Sequence, residues 1–402
     1  MPDTRKTLKV KSRRDFVRSA ASLGGGIAAA SLAPFAAHSS AQVLTQNAAP
    51  STIKTFLGKD SLGAHAAAHG LLYGCAVDVH PLKADPAYAG LVREQCSILV
   101  AENAMKWGPL RPSADTFRFD EADALVAFAE AKNIKMRGHN LAWHRDNPKW
   151  FDAGLTAANA RKLLVTHIQT VMGRYAGRMH SWDVVNEAID VNDGRPDGMR
   201  NTVWLRLAGD DYLDLAFRTA READPKALLT YNEYGIESDD PGAEKKRAAT
   251  LAMLRRMLDH KVPLDALGVQ SHIAVAGAHG PTYGPGLVRF LSSVRALGLQ
   301  VFITEMEVND RTLAADIPQR DTAVAAAYKQ YLDLVLAEPA VRAVLTWGIT
   351  NRHTWLNGED SRADGQPERP LPFDSNYHPT QAFSAIRDAF DTGAPDVRRA
   401  EK

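Results

Sequence analysis

Two glutamates, Glu187 and Glu305, close apolar runs that stop abruptly in polar residues: Ser-Trp-Asp-Val-Val-Asn-Glu from Ser181 and Val-Phe-Ile-Thr-Glu from Val301. Five further runs end the same way, in Glu102 and Asn103, in His139 and Asn140, in Asn232 and Glu233, in Gln270 and His272, and in Trp347, while Glu307 follows two residues after Glu305. Paired carboxylates are what cleavage of a glycosidic bond requires: one gives a proton to the leaving oxygen, the other attacks or steadies the anomeric carbon. Amides such as Asn186 suit sugar hydroxyls because each can donate and accept. Indoles stack on the apolar face of a pyranose, and Trp107, Trp143, Trp347 and Trp355 all lie just beyond these run ends, at least two of them expected against a sugar.

Taken singly, each of these residues is as readily a solvated loop residue as a site residue. Seven polar endings in succession make chance a poor explanation. A zinc site is the chief rival for the His and Glu residues, and His139 and His144 do lie close together. They lack the helical i, i+4 spacing, however, no HExxH occurs, and the many amides have no use at a metal. No Ser-His-Asp order of the hydrolase type is present either.

Something must bring these endings to one place. Eight apolar runs, beginning at Leu71, Ser97, Ile134, Ser181, Ala227, Ala266, Val301 and Ala343, alternate with helical patterns. Their near-continuous apolar character fits parallel strands buried on both faces. Spacings of three and four, as in Leu164, Ile168, Val171 and Tyr175 or Val324, Ala327, Tyr328, Tyr331 and Val335, put each intervening set on one helix face. Further helices are expected at about Pro86–Gln95, Glu121–Lys132, Tyr212–Ala223, Leu251–Leu258, Leu287–Leu297 and Gln381–Phe390. The pattern predicts an α/β fold, a (β/α)8 TIM barrel, in which strand C-terminal ends build the site. A doubly wound sheet would carry a Gly-rich phosphate loop after its first strand, and Gly-Cys-Ala-Val-Asp-Val-His offers none.

The flanks differ from this middle. Residues 1–41 hold seven Lys or Arg against two Asp, with Arg13 and Arg14 just before a Gly- and Ala-rich apolar run, which resembles a twin-arginine export signal. Cleavage after Ala41, a linker at 42–61, a catalytic domain at 62–392 and a polar tail at 393–402 are the expected organisation, with the protein exported to the periplasm or the medium. Without the signal the net charge falls from +1 to about −4, a balance that asks for neither nucleic acid nor a membrane surface. Cys75 and Cys96 are too few for a disulfide framework; lying in or beside adjacent strands they could bridge in an oxidising compartment, but two buried free thiols are expected.

Seven ordered motifs give the chain a family resemblance: AENAMKWGPLRP from Ala101, RGHNLAWH from Arg137, WDVVNEAID from Trp182, YNEYGIE from Tyr231, GVQSHI from Gly268, ITEMEV from Ile303 and TWGITNRHTWL from Thr346. Over about Leu62 to Phe390 it resembles the glycoside hydrolase family 10 endo-1,4-β-xylanases. The resemblance implies a retaining hydrolase without a cofactor or metal, a monomer that acts on xylan or xylo-oligosaccharides. Glu187 would be the acid/base and Glu305 the nucleophile, their carboxyls roughly 5 to 5.5 Å apart. Asn186 would grip the 2-hydroxyl of the reacting sugar, His272 would orient Glu305 with Glu307 behind it, and Gln270 would meet the same subsite. Glu102, Asn103, Lys106, His139, Trp143, Trp347 and Trp355 would line the glycone side, with Asn232 in support.

The chain departs from the family where Asp is common: Glu233 and Glu307 carry a longer arm, and Asn351 loses a charge under the final Trp loop. The loops at 277–286 and 309–319 are expected to shape the product side. Two other functions stay open on sequence alone, a β-1,4-glucanase on the same barrel and a polysaccharide-binding protein without turnover.

Overall fold

The computed structural model describes residues 56–275, 281–359 and 361–393. The expected export signal, the linker up to residue 55, the tail beyond Gly393 and residues 277–280 of the first product-side loop lie outside the described residues. Among the described residues nine strands follow in chain order: β1 (Leu72–Val77), β2 (Ile98–Ala101), β3 (Lys135–His139), β4 (Ser181–Asn186), β5 (Leu228–Glu233), β6 (Ala266–Val269), β7 (His272–Ala274), β8 (Gln300–Asn309) and β9 (Val341–Thr346). All pairings between them are parallel. The ring runs β1 to β6, passes directly to β8, then to β9 and back to β1. Eight strands thus close a (β/α)8 barrel, one from each apolar run.

The ninth strand is the departure from expectation. β7 lies outside the ring and pairs with the far half of β8, His272 beside Glu307 and Ala274 beside Asn309. With that extra partner β8 continues to Asn309 instead of stopping at Glu305. Glu305 and Glu307 therefore sit within a strand, two residues apart and so on one face. A paired strand holds its side chains more firmly than a loop would, since its backbone groups are already bonded.

The helices between strands begin at signals written in the sequence. Asp85 accepts the amides of Ala87 and Tyr88 to start Pro86–Gln95, and Asp240 accepts those of Gly242 and Ala243 to start Pro241–Asp259. In both, Asp caps and the next-residue Pro needs no hydrogen bond at the first helical position. Other outer helices span Asp120–Ala131, Ala160–Arg174, Tyr212–Ala223, Pro285–Ala296, Ile317–Leu336 and Gln381–Gly393. Each buries its apolar face against the barrel.

Inside the ring, Ala76, Ile98, Val100, Ala266, Phe302, Ala343 and Leu345 form one packed cluster that reaches up to Trp347. Arg137 of β3 enters this interior, bonding Ser181 of β4 at 3.2 Å and Thr230 of β5 at 3.3 Å, with its guanidinium 5.5 Å from the Phe302 ring. Its counter-charge is Asp183 of β4, to which it is hydrogen-bonded; both are fully buried. A buried charge is tolerated only when paired in this way. Gly138 is needed beside it because a Cβ there would strike the Trp182 ring. Cys75 and Cys96 are buried and free, their sulfurs 3.6 Å apart.

Candidate active site

β4 delivers Asn186 and Glu187 through a sharp change of backbone. Glu187 has φ of +59°, the left-handed region that an L-residue with a Cβ enters only when its surroundings hold it there. Its neighbours supply that hold. The Glu187 amide donates to the Asn232 carbonyl at 2.9 Å, the Ala188 amide to the Tyr231 hydroxyl at 3.0 Å, and the Ile189 amide to Glu233 Oε2 at 3.1 Å. Arg200 reaches back to donate to the Glu187 carbonyl at 2.9 Å. Glu233 is itself anchored by the Tyr231 hydroxyl and by Lys246 at 2.8 Å. Burial opposes the charge on Lys246, yet Glu233 and Tyr234 together outweigh it and leave the ammonium more basic than usual.

A chain of amides joins the two predicted carboxylates. Gln270 Nε2 donates to Glu187 Oε1 at 3.1 Å and to Asn186 Oδ1 at 3.2 Å. Asn232 Nδ2 donates to the same Asn186 oxygen at 2.9 Å and to Glu305 Oε1 at 2.7 Å. The Asn232 oxygen is fixed by the Thr304 hydroxyl at 2.7 Å. Gly268 is required opposite, because any Cβ there would fall on that oxygen. Glu187 and Glu305 are almost wholly buried.

His272 holds the other side of Glu305. Its Nε2 meets Glu305 Oε2 at 3.1 Å and its Nδ1 meets Glu307 Oε1 at 2.6 Å. Burial pushes the imidazole toward neutrality, but Glu307 and Glu305 together override it and lift its pKa to about 9. At neutral pH the ring is an imidazolium that donates to both carboxylates. Glu307 Oε2 accepts the Trp355 indole N–H at 2.9 Å, so one carboxylate seats both the histidine and the tryptophan.

The remaining predicted residues collect beside this centre. Trp347 packs edge-on against His139, with ring centroids 5.3 Å apart, and against His272 at 6.3 Å. His139 is held by Asp183 at 2.9 Å, the same carboxylate that pairs with Arg137. Lys106 bonds Asn103 at 2.9 Å and Asp146 at 3.1 Å, and its ammonium lies 5.4 Å from the Trp143 ring. Burial, with Asp78 and Glu307 nearby, raises Glu102 to about 7 against the opposing pull of Lys106. Trp107 is different. It is buried, stacked on His167 at 3.7 Å, and its indole donates to the Leu141 carbonyl at 2.6 Å. It supports the loop that carries Trp143 instead of facing a ligand, as does Trp204, whose indole donates to the Trp143 carbonyl at 3.0 Å.

The chain and its barrel are similar to known proteins. The family model described as glycosyl hydrolase family 10 matches residues 61–389. The chain belongs to glycosyl hydrolase family 10. Endo-1,4-beta-xylanase A of Thermoanaerobacterium saccharolyticum is 34% identical over 343 residues, covering 82% of this chain but only 28% of that protein. A thermostable celloxylanase of Thermoclostridium stercorarium is 34% identical over 348 residues, covering 77% of this chain and 85% of its own. The crystal structure of xylanase 10B from Thermotoga petrophila RKU-1 in complex with xylobiose superposes with a TM-score of 0.74 at 32% identity, over 82% of this chain and 97% of that one.

Within this family 10 barrel the departures from Asp acquire structural meaning. The longer arm of Glu233 reaches the Ile189 and Tyr234 amides and Lys246 together. Asn351, buried in the turn Asn351–His353, accepts the Leu371 amide at 2.9 Å, so its oxygen still ties the final Trp loop to the segment beyond it. Its Nδ2 finds no hydrogen-bond partner among the described residues.

Asp183, Arg200 and Tyr231 went unread in the sequence. Asp183 had a visible signal: it is a carboxylate inside an apolar strand, three residues before Asn186, as Arg137 is three before Asn140. Buried opposite charges at the same offset in neighbouring strands mark a pair. Arg200 had none, since the loop that returns it to Glu187 has no periodicity.

Proposed function

We propose that the protein is an endo-1,4-β-xylanase that hydrolyses β-1,4-xylosidic bonds with retention of anomeric configuration, Glu305 acting as nucleophile and Glu187 as acid/base. The observation that carries the assignment of roles is the difference between their partners. Glu305 takes a hydrogen bond from the amide of Asn232 and another from the His272 imidazolium, while Glu187 takes one from the neutral amide of Gln270 and has His144 Nδ1 standing off at 3.9 Å. A nucleophilic carboxylate needs its negative charge matched before it attacks; an acid must be able to hold a proton.

In the first step a Glu305 oxygen bonds to the anomeric carbon as the glycosidic C–O bond breaks. The leaving oxygen keeps the bonding pair and takes the Glu187 proton. Once Glu305 is esterified, Glu187 is the base: it removes a proton from water, whose oxygen displaces Glu305 and restores both groups. Asn186, between the two, faces the 2-hydroxyl, where a hydrogen bond strengthens as positive charge develops on the ring. Glu102, Asn103, Lys106, His139, Trp143, Trp347 and Trp355 form the glycone wall, and Gln270 and His272 complete the reacting subsite.

Substrate assignment is supported by relatives named as xylanases and by the xylobiose bound to the Thermotoga petrophila enzyme. The name celloxylanase on one relative keeps a β-1,4-glucan as the second substrate reading. One experiment addresses both. Glu187→Ala and Glu305→Ala each abolish release of reducing ends from xylan by a factor of at least about 10³, and the unsubstituted protein prefers xylan to carboxymethylcellulose. Near-normal activity in either variant would sink the mechanism. We also place the protein outside the cytoplasm, on the strength of Arg13 and Arg14 before an apolar run, and as a monomer, since among the described residues the exposed large apolar side chains are only Leu57, Val288 and Ile317.

A further inference from the structure

Ser271 stands between the two residues that attend the glutamates: Gln270, on Glu187, and His272, on Glu305. It also separates β6 from β7, and its φ is +62°, a left-handed conformation disfavoured for a residue with a Cβ. That conformation lets one residue turn its two neighbours toward different partners across the same opening.

Two side chains from outside the sheet fix it. Glu237, on the loop after β5, accepts the Ser271 amide on Oε1 at 2.9 Å and the Ile236 amide on Oε2 at 2.8 Å. Tyr331, on the helix Ile317–Leu336, meets the Ser271 hydroxyl at 2.7 Å, and that hydroxyl also donates to the Val269 carbonyl at 3.3 Å. Glu237 is 6% exposed, and Ser271 and Tyr331 are 0%. Burial raises the pKa of Glu237, and the Ser271 amide together with its own backbone amide opposes that rise. A buried carboxylate spent on two backbone amides is an expensive way to hold a turn, and the position of this turn gives it a use.

We propose that Glu237 and Tyr331 are positioning residues that clamp Ser271 and thereby set Gln270 on Glu187 and His272 on Glu305 together. The proposal rests on the two-glutamate reading above. Its consequence is that loosening the clamp impairs both halves of the reaction. Formation of the glycosyl-enzyme needs Glu305 aimed and Glu187 as acid, and its hydrolysis needs Glu187 as base. Misplacement of about 1 Å at a reacting group costs up to about 10²-fold.

The test uses the full-length protein and Glu237→Ala, Glu237→Gln and Tyr331→Phe. Active sites are counted by the burst released from a dinitrophenyl 2-deoxy-2-fluoro-β-xylobioside. Rates per counted site are then read with aryl β-xylobiosides of poor leaving group, limited by glycosylation, and of good leaving group, limited by deglycosylation. In Glu237→Ala both rates fall about 10- to 100-fold while KM stays within about twofold. Glu237→Gln keeps an acceptor for the Ser271 amide and recovers to within about fivefold of the unsubstituted protein; Tyr331→Phe loses about three- to tenfold in both rates. Unchanged rates per site in Glu237→Ala and Tyr331→Phe, with only the melting temperature or number of sites reduced, would make the clamp merely structural and overturn the proposal; should Glu237→Ala not fold, Tyr331→Phe alone decides. A fall confined to one step overturns it as well. Absence of a burst from the unsubstituted protein removes the two-glutamate reading and this proposal with it.

Discussion

Replacing Glu307 by glutamine isolates the charge behind His272. Glutamine has nearly the shape of glutamate, and its Nε2 can donate to His272 Nδ1 while its oxygen still accepts the Trp355 indole. The hydrogen bonds are kept and one negative charge is lost. In the native protein the carboxylates raise His272 from 6.5 to about 9 against the cost of its burial. That gap corresponds to about 3 kcal/mol between the two protonation states, and Glu307 is the strongest influence raising it. Because the folded pKa is the higher one, the folded state binds the proton more tightly. The stabilisation is therefore complete below about pH 6.5 and is lost as the pH rises through about 9. Unfolding entropy of about 2.1 cal/mol/K per residue makes about 3 kcal/mol, the whole gap, equivalent to about 4 °C for a barrel of this size. Glu368, raised to about 9 by burial and by Asp310, loses stability in the same direction over this window in both proteins, and Glu102, raised to about 7 by burial, Asp78 and Glu307, adds only a small part near its lower end. The informative quantity is thus the difference between proteins: melting temperature falls less, by up to about 4 °C, from pH 6.5 to pH 9.5 in Glu307→Gln than in the unsubstituted protein. Differential scanning calorimetry at several pH values measures it. Parallel falls in the two proteins would refute the claim that Glu307 keeps His272 charged.

Two other predictions concern parts of the molecule further from the reacting pair. Trp204→Phe leaves the Trp143 carbonyl without its indole donor, which costs about 1–3 kcal/mol of stability and raises KM for xylo-oligosaccharides; calorimetry together with initial rates checks this, and an unchanged KM would detach Trp204 from the glycone wall. Replacing Arg13 and Arg14 together by lysine keeps the charge but removes the paired arginines, and cell fractionation is expected to find the protein retained in the cytoplasm; normal export would point instead to a general secretory signal.

What the sequence made legible follows the reach of each interaction. Strand ends such as Asn186–Glu187 and helix starts such as Asp85–Pro86 and Asp240–Pro241 could be read because periodicity and capping act between residues a few positions apart. Glu305 was placed at a strand end when it lies inside one, because the length of β8 depends on β7, a three-residue strand whose pairing with Glu307 through Asn309 no local pattern announces. Trp107 was grouped with the candidate sugar-facing indoles because composition cannot tell an indole aimed at a ligand from one bonded to the Leu141 carbonyl. The same limit hid the turn between the two residues that attend the glutamates. Ser271 is an ordinary serine in GVQSHI, and its importance arises only when Glu237, Tyr331 and the left-handed turn meet there. Function in this barrel is thus set at two levels. Residue types at strand ends decide which chemistry is available, and bonds between residues tens of positions apart decide where each group points. A substitution that spares every strand end can therefore still disable the site, provided it releases one of the clamps behind it.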